Sequence, residues 1–167
     1  MVAPPPEWPP DLQVALTAIA TAHDRDAVLA LLLRHATGRF YRVVLFALEN
    51  GLARGLDGRA PGLRVDALRT LVLPLEDPGI VAAAVLHGTP VDGPLAHVES
   101  DWKLVQGIGG GTPLRGLAVP VAAEGRIVNV LYADRGPGGG HDRASAEDLA
   151  KVADAAGRRY DQLLGRS

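Results

Sequence analysis

The side chains best equipped for chemistry gather in one short stretch, Leu95-Ala-His-Val-Glu-Ser-Asp-Trp-Lys103, where His97, Glu99 and Asp101 alternate and His87 precedes them. An imidazole beside a carboxylate is the raw material of general acid–base catalysis, but only if the groups converge on one reacting atom. Alternation along a short polar segment supplies no such convergence and equally describes a solvated helix face. His97 and Asp101 are therefore read as candidate ligand contacts, and no catalytic residue is assigned. No His-x-x-x-His pair or Asp-rich calcium loop occurs, so no metal site is expected. The glycine-rich run at 107–116 could cradle an anion on successive backbone N–H groups. It lacks the Gly-Lys-Ser/Thr of a phosphate loop, however, and a strand follows it where a dinucleotide fingerprint needs a helix. A flexible lead-in to that strand is the simpler expectation.

The bulk properties narrow the field further. The 167 residues contain no cysteine, which removes disulfides, thiolate nucleophiles, redox switches and Cys-ligated metals. A formal net charge of -2, without a basic stripe or tail, argues against nucleic acid as a partner. No apolar run approaches the roughly twenty residues of a membrane span, and the first residues lack a secretory signal, so a cytoplasmic location with no membrane association is expected. Lys103 and Lys151 are the only lysines, a bias typical of GC-rich bacterial genomes.

These residues must be positioned by the elements around them. The hairpin over 113–134 organises the rest: two apolar strands meet at Ala123-Glu124-Gly125, and both faces of the second strand are largely apolar, as befits a strand inside a sheet. Pro120 cannot donate to a ladder and calls for an edge or a bulge. Upstream, 1–10 is a proline-rich extended segment and 11–167 is read as one domain. A first helix runs from Asp11 to near His23. A second is capped by Asp24 or Asp26 and stopped by Gly38. Asn50-Gly51 turns a strand over 40–49 into a partner over 52–56, in which Arg54 is the only charged side chain. Arg54 suits an exposed edge better than an anion contact in a pocket, and it is kept as a candidate ligand residue on the second count. A third strand lies within 69–75. Asp77 is expected to cap a helix over 80–87, with Pro78 in its first turn. A helix over 98–106 groups Val98, Trp102 and Val105 on one face, and Ser145 with Asp148 resembles a capping box opening the long last helix.

Element order and local wording together resemble a GAF domain, over about 26–164. Asp77-Pro-Gly-Ile-Val-Ala-Ala-Ala-Val-Leu-His-Gly-Thr-Pro-Val91 is similar to the family's middle helix and turn, residues 117–134 to its last hairpin, and Ser145-Ala-Glu-Asp-Leu-Ala-Lys151 to the start of its terminal helix. The resemblance implies an α+β fold. A central, mainly antiparallel sheet would carry the N- and C-terminal helices on one face. Short helices and loops at 80–87 and 97–106 would roof a ligand pocket on the other. Trp102 would then either cover the pocket or pack as a core residue. Asn129 stands where the family usually has glycine, so it would hydrogen-bond a ligand or narrow the cavity. Lacking cysteine, the chain is excluded from the family's covalent bilin attachment and its sulfoxide-reductase chemistry, and no cofactor is assigned.

The function expected is a non-catalytic sensory or regulatory module of a bacterial signalling protein, binding a small molecule or dimerising through its terminal helices. The alternative is a ligand-free scaffold for protein association. A homodimer or a partner signalling protein is expected, because the apolar stripes of the first and last helices look longer than a small sheet requires.

Overall fold

Asn50 and Glu124 take positive φ (52° and 53°), and each is followed by a glycine that does the same (Gly51 75°, Gly125 74°). This is the conformation of two-residue type I′ hairpin turns. The computed structural model describes residues 12–165 and is built on the two hairpins so formed. In chain order the elements are α1 (Leu12–Ala20), α2 (Arg25–Thr37), β1 (Arg42–Glu49), β2 (Leu52–Arg59), α3 (Val65–Leu68), β3 (Val72–Pro74), α4 (Ile80–His87), β4 (Val91–Gly93), α5 (Glu99–Gly107), β5 (Gly116–Ala123), β6 (Arg126–Asp134) and α6 (Arg143–Leu164). The proline-rich segment over 1–10 and the start of the first helix at Asp11 lie outside the described residues.

One sheet of order β3-β2-β1-β6-β5-β4, antiparallel at every pairing, divides the molecule into two packed layers. On one face α1, α2 and α6 bury Ile19, Leu32, Leu149 and Val152 against Leu45 and Leu131. On the other, α3, α4 and α5 bury Leu68, Ile80 and Leu104 against Phe46, Val130 and Tyr132. This is the α+β arrangement expected from the sequence. Helix α6 lies so close to the sheet that a Cβ on Gly157 would stand 2.2 Å from the Ala122 carbonyl oxygen. The apolar faces of α1 and α6 are spent within the chain, with Ala15 and Ile19 of one and Ala155, Ala156 and Tyr160 of the other all buried. Much of the stripes that argued for a dimer is therefore core, while Leu164 at the end of α6 stays 50% exposed.

Several local expectations change for physical reasons. Helix α3 falls where no helix was expected; it exists to seat Leu68 over β2, and a Cβ on Gly55 would lie 2.0 Å from the Leu68 carbonyl oxygen. Helix α6 begins earlier than Ser145. Its N-cap is Asp142, which accepts from Ser145 N (3.1 Å) and from the Ser145 hydroxyl (2.8 Å). That hydroxyl, more than any other cause, lowers the Asp142 pKa to about 2. Helix α2 is capped by Asp24, through Ala27 N at 2.8 Å, as one of the two readings had it. Pro120 lies beyond the short β4, which pairs only with Gly116–Ala118, and next to a bulge at Val121/Ala122. The missing donor thus falls where the edge of β5 is open.

His35, in the last turn of α2, is buried, and neither ring nitrogen has a hydrogen-bond partner. Burial, and then the nearby Arg39 charge, hold its pKa below the ordinary 6.5, with Asp148 opposing. The native state keeps the imidazole neutral while the unfolded chain protonates it, so folding stability falls as pH drops below 6.5. We expect the unfolding free energy from urea denaturation to decline between about pH 7 and pH 5, by up to ~1.4 kcal/mol per pH unit. In His35→Phe that decline should be absent, and an equal decline in the variant would show that other groups carry it.

Candidate functional site

The first residue of α4 needs a hydrogen-bond acceptor for its amide, and Asp77 does not supply one. The N-cap is Gly79, with extended backbone and no side chain to offer. Asp101 of α5 does the work instead: its Oδ1 accepts from Ile80 N at 2.8 Å and its Oδ2 from Ala96 N at 3.0 Å. The carboxylate is 3% exposed and stands at a helix N-terminus, where the helix dipole favours negative charge. Glycine at 79 permits the approach, since a Cβ there would lie 3.0 Å from Asp101 Oδ1. One side chain thereby ties α4, α5 and the segment 95–98 together.

Between that segment and α5 opens a cleft of about 360 Å³, lined entirely by residues between β4 and β5. Leu95, Val98 and Val105 supply apolar wall, while His97, Glu99 and Thr112 supply polar rim. Trp102 is neither a core tryptophan nor a cover over an internal pocket. Its residue is 63% exposed and its indole lines the cleft from the surface, because the buried face of α5 is Ser100, Asp101, Leu104 and Val105. His97 is also exposed. No hydrogen bond joins His97, Glu99 and Asp101, and both oxygens of Asp101 are occupied by backbone amides. Asp101 frames the cleft with both carboxylate oxygens turned to backbone amides.

The structure brings His97, Asp101 and Trp102 together and leaves Asn129 and Arg54 elsewhere. Asn129 alternates with Leu131 and Ala133 and so faces the terminal helices, and the bulge opposite Val121/Ala122 brings Val128, the extra residue of β6, to the same face. There Asn129 Nδ2 donates to the Phe46 carbonyl at 3.0 Å and its Oδ1 accepts from the Tyr160 hydroxyl at 3.4 Å. Its amide is satisfied by protein, on the face opposite the roof. Arg54 is not on an edge strand, since β2 runs between β1 and β3. Its neighbour Ala53 enters the roof-side core, so Arg54 points to the other face, half exposed and 3.4 Å from Glu49.

Sequence reading passed over the most highly bonded cluster. Arg42, a charged side chain in an otherwise apolar stretch of β1, stands opposite Asp134 in the β1–β6 register and is 2% exposed. Its Nε donates to Asp134 Oδ1 (2.8 Å) and its Nη2 to Oδ2 (3.0 Å), a bidentate pair. Its remaining donors reach the carbonyls of Gly110 (2.6 Å) and Gly111 (2.9 Å). Asp134 also accepts from the Tyr132 hydroxyl (2.6 Å) and from Gly136 N (2.8 Å). Burial first, and then the Asp134 charge, push the Tyr132 phenol far above its ordinary range, so it remains a donor. The left-handed glycines 109, 110 and 111 turn carbonyls toward Arg42. The glycine run is therefore an anchored strap facing a cation, the opposite polarity to an anion cradle. The signal in the sequence was the pairing of one arginine and one aspartate in otherwise apolar strands.

No protein-family model matches the chain, and no curated protein does. Solved structures do. A GAF domain from a phosphoenolpyruvate-protein phosphotransferase of Coxiella burnetii superposes with a TM-score of 0.69 at 14% identity, covering 93% of this chain and 95% of that one. Residues 122 to 287 of a methyl-accepting chemotaxis protein give 0.70 at 13% identity, covering 92% and 98%. The free methionine-R-sulfoxide reductase of Neisseria meningitidis, in complex with its substrate, gives 0.68 at 16% identity, covering 93% and 89%. The chain has a GAF-like fold, as its sequence resemblance implied. Among the described residues no helix is long and apolar enough to cross a membrane.

Proposed function

We propose that this chain is a non-catalytic sensory module of a bacterial signalling protein, cytoplasmic, which binds a small organic molecule in the cleft beside α5. The observation that carries the reading is the pair of hydrogen bonds that Asp101 accepts: one oxygen holds the cleft wall at Ala96 and the other holds the start of α4 at Ile80. A molecule that moves the 95–98 segment therefore acts directly on α4, and binding favours one of two arrangements of the roof. The ligand has an apolar or aromatic face to lie on Trp102, Val98 and Val105, and a polar group for His97 or Thr112. A volume of about 360 Å³ suits a metabolite. Similarity to a phosphotransferase GAF domain and a chemotaxis protein supports a signalling role. Similarity to a sulfoxide reductase would point to an enzyme, but the sequence has no cysteine to supply a thiol.

A second reading, a scaffold that associates with itself or with a signalling partner, draws on the exposure of Trp102 and of Leu86 (81%) on α4. One experiment separates the two. In a Trp8→Phe background Trp102 is the sole tryptophan, so its fluorescence reports the cleft. Incubation with a metabolite extract should leave a discrete added mass in native mass spectrometry and change the Trp102 emission, and Trp102→Ala should abolish the retained mass. Bare protein under every condition would overturn the sensor and leave the scaffold.

A further inference from the structure

On the helix-bearing face, at the end of the sheet remote from the N-terminus of α6, the helices leave two hollows of about 320 and 440 Å³ that share Arg25 and Val128 as a common wall. The smaller is mainly apolar, closed by Ala123, Leu163 and Tyr160. The larger has Leu29, Ala47 and Leu56 as its apolar lining, with Arg126 at its side. Neither Arg25 nor Arg126 has a carboxylate partner among the described residues; Arg25 lies over the Tyr160 ring at 5.5 Å. The acids nearby are largely engaged. Asp24 caps α2 through Ala27 N, and Glu49 lies 3.4 Å from Arg54. Asp26 remains, in the first turn of α2.

We propose that this double hollow binds a free monocarboxylate with an unbranched apolar chain, a site separate from the cleft beside α5. Arg25 and Arg126, neither paired with a carboxylate among the described residues, both line the larger hollow and present planar forks that match a carboxylate there, and the smaller, mainly apolar hollow beyond Arg25 takes up the hydrocarbon chain. Asp26 disfavours a dianionic phosphate more than a singly charged carboxylate. The site also has a route into the sheet. Arg25 touches the Tyr160 ring, the Tyr160 hydroxyl reaches Asn129, and Asn129 holds the Phe46 carbonyl of β1. Asn129, which the cleft does not use, becomes the residue that feels the occupant.

The test is a titration of the ¹⁵N-labelled full chain with decanoate below its micellar concentration, read by NMR. Decanoate should shift the Asn129 side-chain amide saturably and leave the Trp102 indole N–H in place. Arg126→Gln, at an exposed and unpaired position, should weaken binding about tenfold with an unchanged circular dichroism spectrum, and decanol should bind at least about tenfold more weakly than decanoate. Decanol binding as tightly as decanoate, unchanged affinity in Arg126→Gln, a response confined to Trp102, or tighter binding of decyl phosphate would each overturn the proposal. Failure here leaves the cleft beside α5 untouched, because its reporter is Trp102.

Discussion

Replacing Asp134 with alanine should destabilise the protein by about 3–5 kcal/mol, the loss expected when one partner of a buried ion pair is removed and the other is left uncompensated. Arg42 is 2% exposed and Asp134 fully buried, so water cannot take the place of the lost carboxylate. The same substitution strands the Tyr132 hydroxyl and Gly136 N, both of which donate to Asp134. For a domain whose whole stability is of the order of 5–15 kcal/mol, this brings the variant close to unfolding, and urea denaturation followed by circular dichroism reads it directly. The double variant Arg42→Met, Asp134→Leu removes both charges together and should recover much of the loss, because apolar groups can fill the space of a buried pair. It should not restore the strap. The Gly110 and Gly111 carbonyls lose their cation, so amide hydrogen exchange across 107–111 should remain fast while the sheet regains protection. An Asp134→Ala variant within about 1 kcal/mol of the parent would mean that the cluster contributes almost nothing net.

The cluster also marks the boundary of what the sequence could reveal. Its two strands were legible, because alternation and an Asn-Gly or Glu-Gly turn are local signals. The register that sets Arg42 opposite Asp134 is a long-range property, and no spacing of residues contains it. The same distinction runs through the site. Helix α4 was readable to its last residue from Ile80 to His87 and the left-handed Gly88, whereas its cap was assigned to the nearby Asp77. The actual acceptor, Asp101, arrives by tertiary packing of another helix. Trp102 was grouped with Val98 and Val105 because hydrophobic periodicity treats indole as core. On α5 the small polar residues Ser100 and Asp101 take the buried face, one to pack beside Gly79 and one to bond, and the tryptophan turns out. Asn129 lies on the helix side for a different reason: it alternates with Leu131 and Ala133, and which layer that face of β6 meets is set by tertiary packing, while the bulge beyond it re-aims Val128, an inserted residue that β-periodicity cannot detect. Family resemblance carried the layers and the order of elements, which depend on many weak local signals agreeing. It could not carry which side chain faces which cavity.

Asp101→Asn is the second substitution with a large expected effect, and it bears on function as well as stability. Asparagine keeps the shape of the side chain but has one acceptor oxygen, so either Ile80 N or Ala96 N must face an amide NH₂ instead of a carboxylate. The loss combines a hydrogen bond to a charged group, worth about 1.5–3 kcal/mol, with the charge at the start of α4, worth roughly 0.3–2 kcal/mol. A fall of about 2–5 kcal/mol in unfolding free energy follows, with Asp101→Ala lower still. Glu99→Gln, exposed in the same helical turn, should stay within about 0.5 kcal/mol of the parent. Hydrogen exchange then separates the structural role from the signalling one. In the parent, a molecule occupying the cleft should change the protection of the first amides of α4, since Asp101 links Ala96 to Ile80. In Asp101→Asn the cleft should still change the fluorescence of Trp102, yet the response of α4 should be uncoupled from it. If α4 responds to the same extent in the variant, signal leaves the cleft by another path. If the variant keeps both the stability and the Ile80 protection of the parent, the carboxylate is not the tie that joins the roof.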